Sequence, residues 1–301
     1  MDSTQSRDKM RRLASGDAIP APVDADILFS QERVLKRTFS MRIAEAGKDL
    51  WAALTTTETW AFLGWHDIRQ RYRRSVLGPF WITISTAVLV SGLSVMYAGL
   101  FRMTLRDYIP YLASGMITWS FINTVINESC LVFMGSEGSI KNGQMPITSY
   151  VLRLVWRNMI VFMHNAVVLV VVVLIFLPFR PLGLLESLLG LVIVGIFLFW
   201  VALLVGLLSA RFRDIPQIVT NVLQVVFFMT PIMWQASVLK NHIWIAQINP
   251  FFYMLELVRN PLLGVDSGGM LWLQVTGVVA LTACISFLLF ARFRSRIVYW
   301  L

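Results

Sequence analysis

The chain has 301 residues, 57% hydrophobic and only 14% charged, against about 25% charged in a soluble domain. That is too little charge to cover a soluble surface, so a soluble enzyme, a disordered chain and a secreted disulfide scaffold are excluded. In so apolar a chain the net charge of +9 points to membrane topology and anionic lipid before nucleic acid.

Residues 1–50 read as a polar cytoplasmic tail, with Pro20 and Pro22 in a flexible stretch and no visible signal peptide. Asp24-Ala25-Asp26 in that tail reads as a chance pattern. Residues 51–79 form a second region. Thr55 with Glu58 three residues later fits a capping box. Ala61, Trp65, Ile68 and Tyr72 then recur at helical spacing, with Arg69, Arg71, Arg73 and Arg74 around the rest. This predicts an amphipathic helix in the membrane interface, ended by Gly78-Pro79.

Residues 80–301 read as a six-helix transmembrane domain in an all-α integral membrane protein. The apolar runs are continuous, as in 167–177, which excludes a β-barrel. Spans are expected at about 80–100, 110–134, 151–177, 184–209, 215–234 and 270–291. The polar segment 135–150 separates the second and third, and the two half-length apolar pieces between the fifth and sixth are too short to cross. Six spans place both termini on one side. That side carries 21 of the 26 Lys/Arg and is therefore expected to be cytoplasmic. Cys130 and Cys284 lack zinc spacing and read as small buried hydrophobes.

The chain shows no phosphate-cradling Gly-rich loop, no His-Glu-x-x-His and no Gly-x-Ser-x-Gly. Any uphill movement must draw on a gradient or on a partner. A gradient-driven carrier needs ionisable groups at mid-membrane. The candidates are Glu128 and His164, each with a structural reading as well, and no inverted repeat supports them. Ser120, Asn123 and Asn127 share one face of the second span; Asn165, Asn221 and Gln224 lie in the third and fifth. They read either as interhelical hydrogen-bonding groups or as a polar path for a hydroxyl-rich substrate. Trp119, Phe121, Phe227, Phe228 and Trp234 would then supply stacking faces along that path, or belong to an interfacial aromatic belt.

Several stretches carry a family resemblance. The run from Asp67 through Arg69-Gln70-Arg71-Tyr72-Arg73-Arg74 to Gly78-Pro79-Phe80-Trp81 resembles the entry motif of ABC-type permeases that export polysaccharides and polyol phosphates. These are the membrane subunits of O-antigen, capsule and teichoic acid exporters. Arg211-Phe212-Arg213-Asp214-Ile215-Pro216, Thr230-Pro231-Ile232-Met233-Trp234, Asn249-Pro250-Phe251 and the closing Arg296-Ile297-Val298-Tyr299-Trp300-Leu301 also fit, so the likeness covers about 51–301.

The resemblance implies a homodimer of this chain that recruits two copies of a separate cytoplasmic ATPase, in a bacterial inner membrane. ATP and Mg would sit in that partner, with no cofactor in this chain. It implies an ATPase-coupling role for Lys141, Asn142, Met145 and Pro146, and a gate on the far side with Asn249, Pro250 and Phe251 in its short helices. The implied substrate is a glycan on a polyprenyl diphosphate. Arg69, Arg71, Arg73 and Arg74, with Arg153 and Arg157 at the base of the third span, are at the level to meet that diphosphate, or serve as positive-inside anchors. Trp119, Ser120, Asn123, Asn127, Phe227, Phe228 and Trp234 would line the channel. Three alternatives stand: a permease of the same architecture for a small drug or lipid, a membrane-embedded glycan-assembly enzyme, and a gradient-driven carrier.

Overall fold

The computed structural model describes residues 39–73, 78, 80–178, 180–242 and 244–301. Most of the expected tail, with Asp24 and Asp26, lies outside these residues, as do Arg74 and Pro79. The chain divides into two units, Met1–Arg42 and Ile43–Leu301. Only the helical Phe39–Arg42 is described in the first; the helical bundle is the second.

All regular structure among the described residues is helical. Helix α1 is Phe39–Thr55, α2 Thr57–Arg71, α3 Phe80–Leu100 and α4 Leu105–Ser129. A short α5, Glu137–Lys141, precedes α6, Ile147–Phe176, and α7, Pro181–Arg211. Then come α8, Ile215–Met229, α9, Trp244–Gln247, α10, Pro250–Leu263, α11, Gly268–Phe293, and α12, Ile297–Trp300.

Five segments are long and apolar enough to cross a membrane: α3, α4, α6, α7 and the segment beginning with α11. The expected fifth span is the exception. Its helix stops at Met229 after 15 residues, about 22 Å of rise, short of a hydrocarbon core of ~30 Å. Thr230–Trp234 continues as non-helical chain, because Pro231 withholds a donor and side chains from other helices take its carbonyls.

Helix α4 is the centre. It packs against α3, α6, α7 and α10 and buries residues on every side, including Leu112, Ala113, Ile117, Ile122 and Val125. It begins five residues before the expected span. Thr104 caps it by accepting from the Asp107 N–H at 3.2 Å while donating to Asp107 Oδ2 at 2.6 Å. Helices α7 and α10 approach closely through small residues. A Cβ on Gly190 would stand 2.7 Å from the Leu257 carbonyl oxygen, and Ser187 Oγ donates to the Val258 carbonyl at 2.7 Å.

The amino-terminal region departs from expectation in three ways. Helix α1 starts at Phe39, inside the expected tail, and buries Ala46, Asp49 and Ala53. Thr55 makes no capping box; its hydroxyl donates back to the Trp51 and Ala52 carbonyls and closes α1. The expected apolar stripe of α2 is also turned. Trp65 is exposed, whereas Gly64 and Ile68 are buried, because Gly64 lets α2 lie against α6, with Trp156 and the Arg153 carbonyl at close range. Of the cysteines, Cys130 is buried and Cys284 exposed.

Candidate functional site

Three structural regions meet at one end of the bundle: α1 and α2, the α4–α6 connection, and the carboxy-terminal segment. Asp49 holds them together. Its carboxylate accepts from the backbone N–H groups of Ile147 and Thr148, at 3.1 and 3.0 Å, and from the Thr148 hydroxyl at 2.7 Å. It therefore caps α6 from another helix, where Pro146, the residue at the cap position, offers no side-chain acceptor. Arg294 donates to the same carboxylate at 3.0 Å. Asp49→Ala should lower the stability of the solubilised chain by about 2 kcal/mol or more, read as a fall in Tm, and Asp49→Asn should recover part of it.

The α4–α6 connection displays its polar residues. Lys141 and Asn142 are exposed, Met145 and Pro146 half-buried, and Lys141 pairs with Glu137 at 2.6 Å. Met145 and Pro146, with Glu45, Asp49, Arg294 and Val298, border a groove of about 530 Å³.

Beside it lies a charge network. Arg153 grips Asp67 with two nitrogens, Nε at 2.8 Å. Arg157 reaches Asp67 at 3.4 Å and Glu128 at 2.6 Å. Arg71 donates to the other Glu128 oxygen at 3.0 Å, and Asn158 adds a further bond to Glu128 at 2.7 Å. Three guanidinium groups thus share two carboxylates, leaving one positive charge in excess. Arg69 and Arg73 are exposed, and neither forms an ion pair among the described residues. Burial pushes the Tyr72 phenol above its ordinary pKa, with Arg71 opposing, so it remains a hydrogen-bond donor. A polar cavity of about 360 Å³ opens between Asp67, Glu128, Ser136, Tyr150, Arg153 and Arg157.

Away from this end, α4 and α8 share a polar band. Asn127 Nδ2 donates to Asn123 Oδ1 at 3.0 Å, and Thr220 Oγ1 donates to Asn127 Oδ1 at 2.9 Å. Ser120 is exposed on the same face of α4. Trp119, expected beside it on an open path, is instead 5% exposed. One residue turns the helix about 100°, which aims Trp119 at Phe227 and Phe251, each 5.9 Å away between ring centres. Phe228 is exposed and contacts Phe227 at 5.2 Å. The half-buried Trp234 donates to the Phe228 carbonyl at 3.1 Å. Asn165 falls outside the band: it is buried and takes a hydrogen bond from Thr86 at 3.3 Å, an interhelical contact. Phe121 packs in the core on Phe162.

Beyond the aromatic residues the non-helical Thr230–Trp234 is clamped. Tyr108 donates to the Met233 carbonyl at 2.7 Å, and Tyr111 to those of Pro231 and Trp234 at 3.1 and 2.7 Å. Arg259, 1% exposed, donates to the Pro231 carbonyl at 2.7 Å, contacts Glu256 at 3.3 Å and lies 4.0 Å from the centre of the Tyr111 ring. Asn249 caps α10 through the Phe251 N–H at 3.0 Å and donates to Thr230 at 2.7 Å. Pro250, at the start of α10, needs no donor there.

Residues 58–263 match the family model described as ABC-2 type transporter. The chain belongs to the ABC-2 type transporter family. The match runs from the start of α2 to the end of α10, so it takes in the charge network, the polar band and the clamp. This ABC-2 transporter chain is similar to two curated proteins from Klebsiella pneumoniae, each named O-antigen export system permease protein RfbA. One is 25% identical over 226 residues, 71% of this chain and 84% of that protein. The other is 25% identical over 201 residues, 63% and 74% of the two chains.

The structure brings Arg71, Arg153 and Arg157 into one network, and Ser120, Asn123 and Asn127 into one band. Sequence reasoning did not find Asp49, Tyr111 or Arg259, and named Asp67 as the start of a motif without its role as an ion partner. Only Asp67 carried a signal, as the acidic residue of an otherwise basic helix end.

Proposed function

We propose that this chain is the membrane-spanning permease subunit of an ATP-driven exporter, moving a polyprenyl-diphosphate-linked surface glycan out of the cytoplasm across a bacterial inner membrane. The observation that carries the reading is the junction of a cation-rich end with a polar, aromatic-flanked band running away from it. A lipid diphosphate head meets the exposed Arg69 and Arg73 first, with Arg74 in the same run. Arg71, Arg153 and Arg157, already shared between Asp67 and Glu128, supply the excess positive charge behind them. The glycan then follows Ser120, Asn123 and Asn127 toward Phe227, Phe228 and Trp234.

Two copies of the chain pair as a homodimer with two cytoplasmic ATPase subunits, which hold ATP and Mg. Lys141, Asn142, Met145 and Pro146 face that ATPase. Both termini are cytoplasmic. Asn249, Pro250 and Phe251, through the tie to Thr230, set the far-side gate. O-antigen is the glycan that the Klebsiella relatives favour; a capsule or another lipid-linked polymer has the same chemistry at its head.

The isolated homogeneous chain is expected to hydrolyse no ATP, and measurable turnover would contradict the subunit assignment. The head-group role is tested by Arg69→Lys and Arg73→Lys, separately and together. Anchoring needs only charge, whereas a diphosphate held by two parallel bonds needs the planar fork. The double Lys variant should keep its membrane abundance and lose surface glycan by about tenfold. Normal export from it would remove the diphosphate role.

A further inference from the structure

Helix α8 carries three distinct faces. Leu223 is buried and Val219, Val226 and Phe227 pack against the core. Ile218, Val222, Val225 and Met229 form an exposed apolar strip, suited to hydrocarbon. Between these faces lie Gln217, Thr220, Asn221 and Gln224, all exposed, within about a third of the helix circumference.

That third face does not suit lipid. Each primary amide carries two donors and an acceptor, and an unpaired polar group in hydrocarbon costs several kcal/mol. The bonds present use little of this capacity. Gln217 donates to Asn221 at 3.2 Å and Thr220 to Asn127 at 2.9 Å. The Gln224 side chain forms no hydrogen bond among the described residues. The face must therefore meet something dense in donors and acceptors.

Its surroundings narrow the choice. Asn123 and Asn127 are half-buried on α4 beside Thr220, so the band has a recessed floor as well as an exposed rim. Phe228 follows Gln224 by one helical turn and carries the band into the aromatic residues. Amides that hydrogen-bond hydroxyls, next to ring faces that cover C–H surfaces, suit a sugar chain. The band also contains no charge. Arg213 and Asp214 precede α8, and Glu128, next to Asn127, is neutralised by Arg71 and Arg157. A chain bearing an ionised group at every repeat would meet no counter-charge along this length, in surroundings where desolvation is most costly.

We propose that Gln217, Asn221 and Gln224, with Asn123 and Asn127, form a selectivity track for an uncharged, hydroxyl-rich glycan, and that the track discriminates against chains carrying carboxylates or phosphates along their length. This rests on the export reading above. That reading concerns the lipid head and the class of transporter, whereas the track concerns the charge of the chain behind the head.

The test uses the full chain with its ATPase in cells that make one of two lipid-linked polymers on the same carrier, a neutral glycan or one with a carboxylate in each repeat. Wild type should export the neutral polymer at least tenfold better. Asn221→Lys with Gln224→Lys should erase or reverse that preference. Equal export of both polymers by wild type would overturn the track, as would an unchanged preference after Gln217, Asn221 and Gln224 are all replaced by Leu. Export of neither polymer by wild type would sink the underlying export reading, and the track with it.

Accessibility gives an independent readout. In a Cys284→Ala background, Gln217→Cys, Asn221→Cys and Gln224→Cys should react with a membrane-impermeant thiol reagent in the assembled transporter. Ile218→Cys, Val222→Cys and Val225→Cys should not. Self-crosslinking of Asn221→Cys between two copies, without reagent labelling, would make the face a seam between copies and overturn the track.

Discussion

Arg259→Met should cost about 3–5 kcal/mol of stability, the range for removing one partner of a buried, hydrogen-bonded ion pair. The loss has three parts. Glu256, close to buried itself, is left facing an apolar side chain. The Pro231 carbonyl loses its 2.7 Å donor. Tyr111 loses the cation over its ring. Arg259→Lys keeps the charge and forfeits the fork whose two terminal nitrogens reach the Pro231 and Ile232 carbonyls, so it should recover less than half. The readout is the midpoint of thermal unfolding in detergent. Gly115 gives the matching cycle. A Cβ there collides with the Arg259 guanidinium, so Gly115→Ala should be strongly destabilising in the native chain and much less so beside Arg259→Met. Additive effects would mean that Gly115 is small for some other reason.

Glu128→Ala should be the most damaging change at the opposite end, at about 3 kcal/mol. It releases Arg71 of α2 and Arg157 of α6 together and frees Asn158. Helix α2 would then be held by Asp67, by packing around Gly64 and by Trp60, which donates to the Ala53 carbonyl and meets the Trp156 ring. The expected outcome is proteolytic exposure of α2 with α6 still protected, and reduced export even when the protein reaches the membrane. Glu128→Gln retains an acceptor and should fall between. If Glu128→Ala leaves the cleavage pattern and the thermal midpoint unchanged, the network does not hold α2 in place.

Which elements the sequence revealed depends on how local their causes are. Helix α3 was legible because a glycine-proline pair precedes it and a polar turn ends it. Helix α4 was displaced because Pro110 looked like its start. In fact Thr104 and Asp107 cap it more than one turn earlier, and Pro110 lies inside the helix, where it has no N–H to give to the preceding turn. The buried side of α1 was invisible in a stretch that composition marks as tail, since its cause is tertiary: Asp49 reaches Ile147 and Thr148 almost a hundred residues away. Thr230–Trp234 reads as apolar helix despite Pro231, and the carbonyl contacts from Tyr108, Tyr111 and Arg259 complete the reason why it is not.

The candidate site divides in the same way. Arg71, Arg153 and Arg157 could be picked out as cations at one level, because a run of arginine on a helix and an i, i+4 pair are local patterns. Their sharing of Asp67 and Glu128 is not local, so they read as free charges. The polar band was half legible. Asn123 and Asn127 announce themselves by spacing, whereas Gln217 gains its place only once α8 is seen to leave that face uncovered.

We propose above that this chain, with an ATPase partner, moves a lipid-linked glycan. The most direct test reconstitutes the two proteins in sealed vesicles with a polyprenyl-diphosphate-linked glycan bearing a fluorophore on its sugar. Nucleotide reaches only the ATPase-facing side, and fluorophore crossing is scored by protection from a membrane-impermeant quencher. Protection should grow with ATP hydrolysis, require the permease and be lost with a hydrolysis-dead ATPase. Protection that appears without ATP under an imposed proton gradient, or vigorous permease-dependent hydrolysis with no glycan crossing, would contradict the export reading.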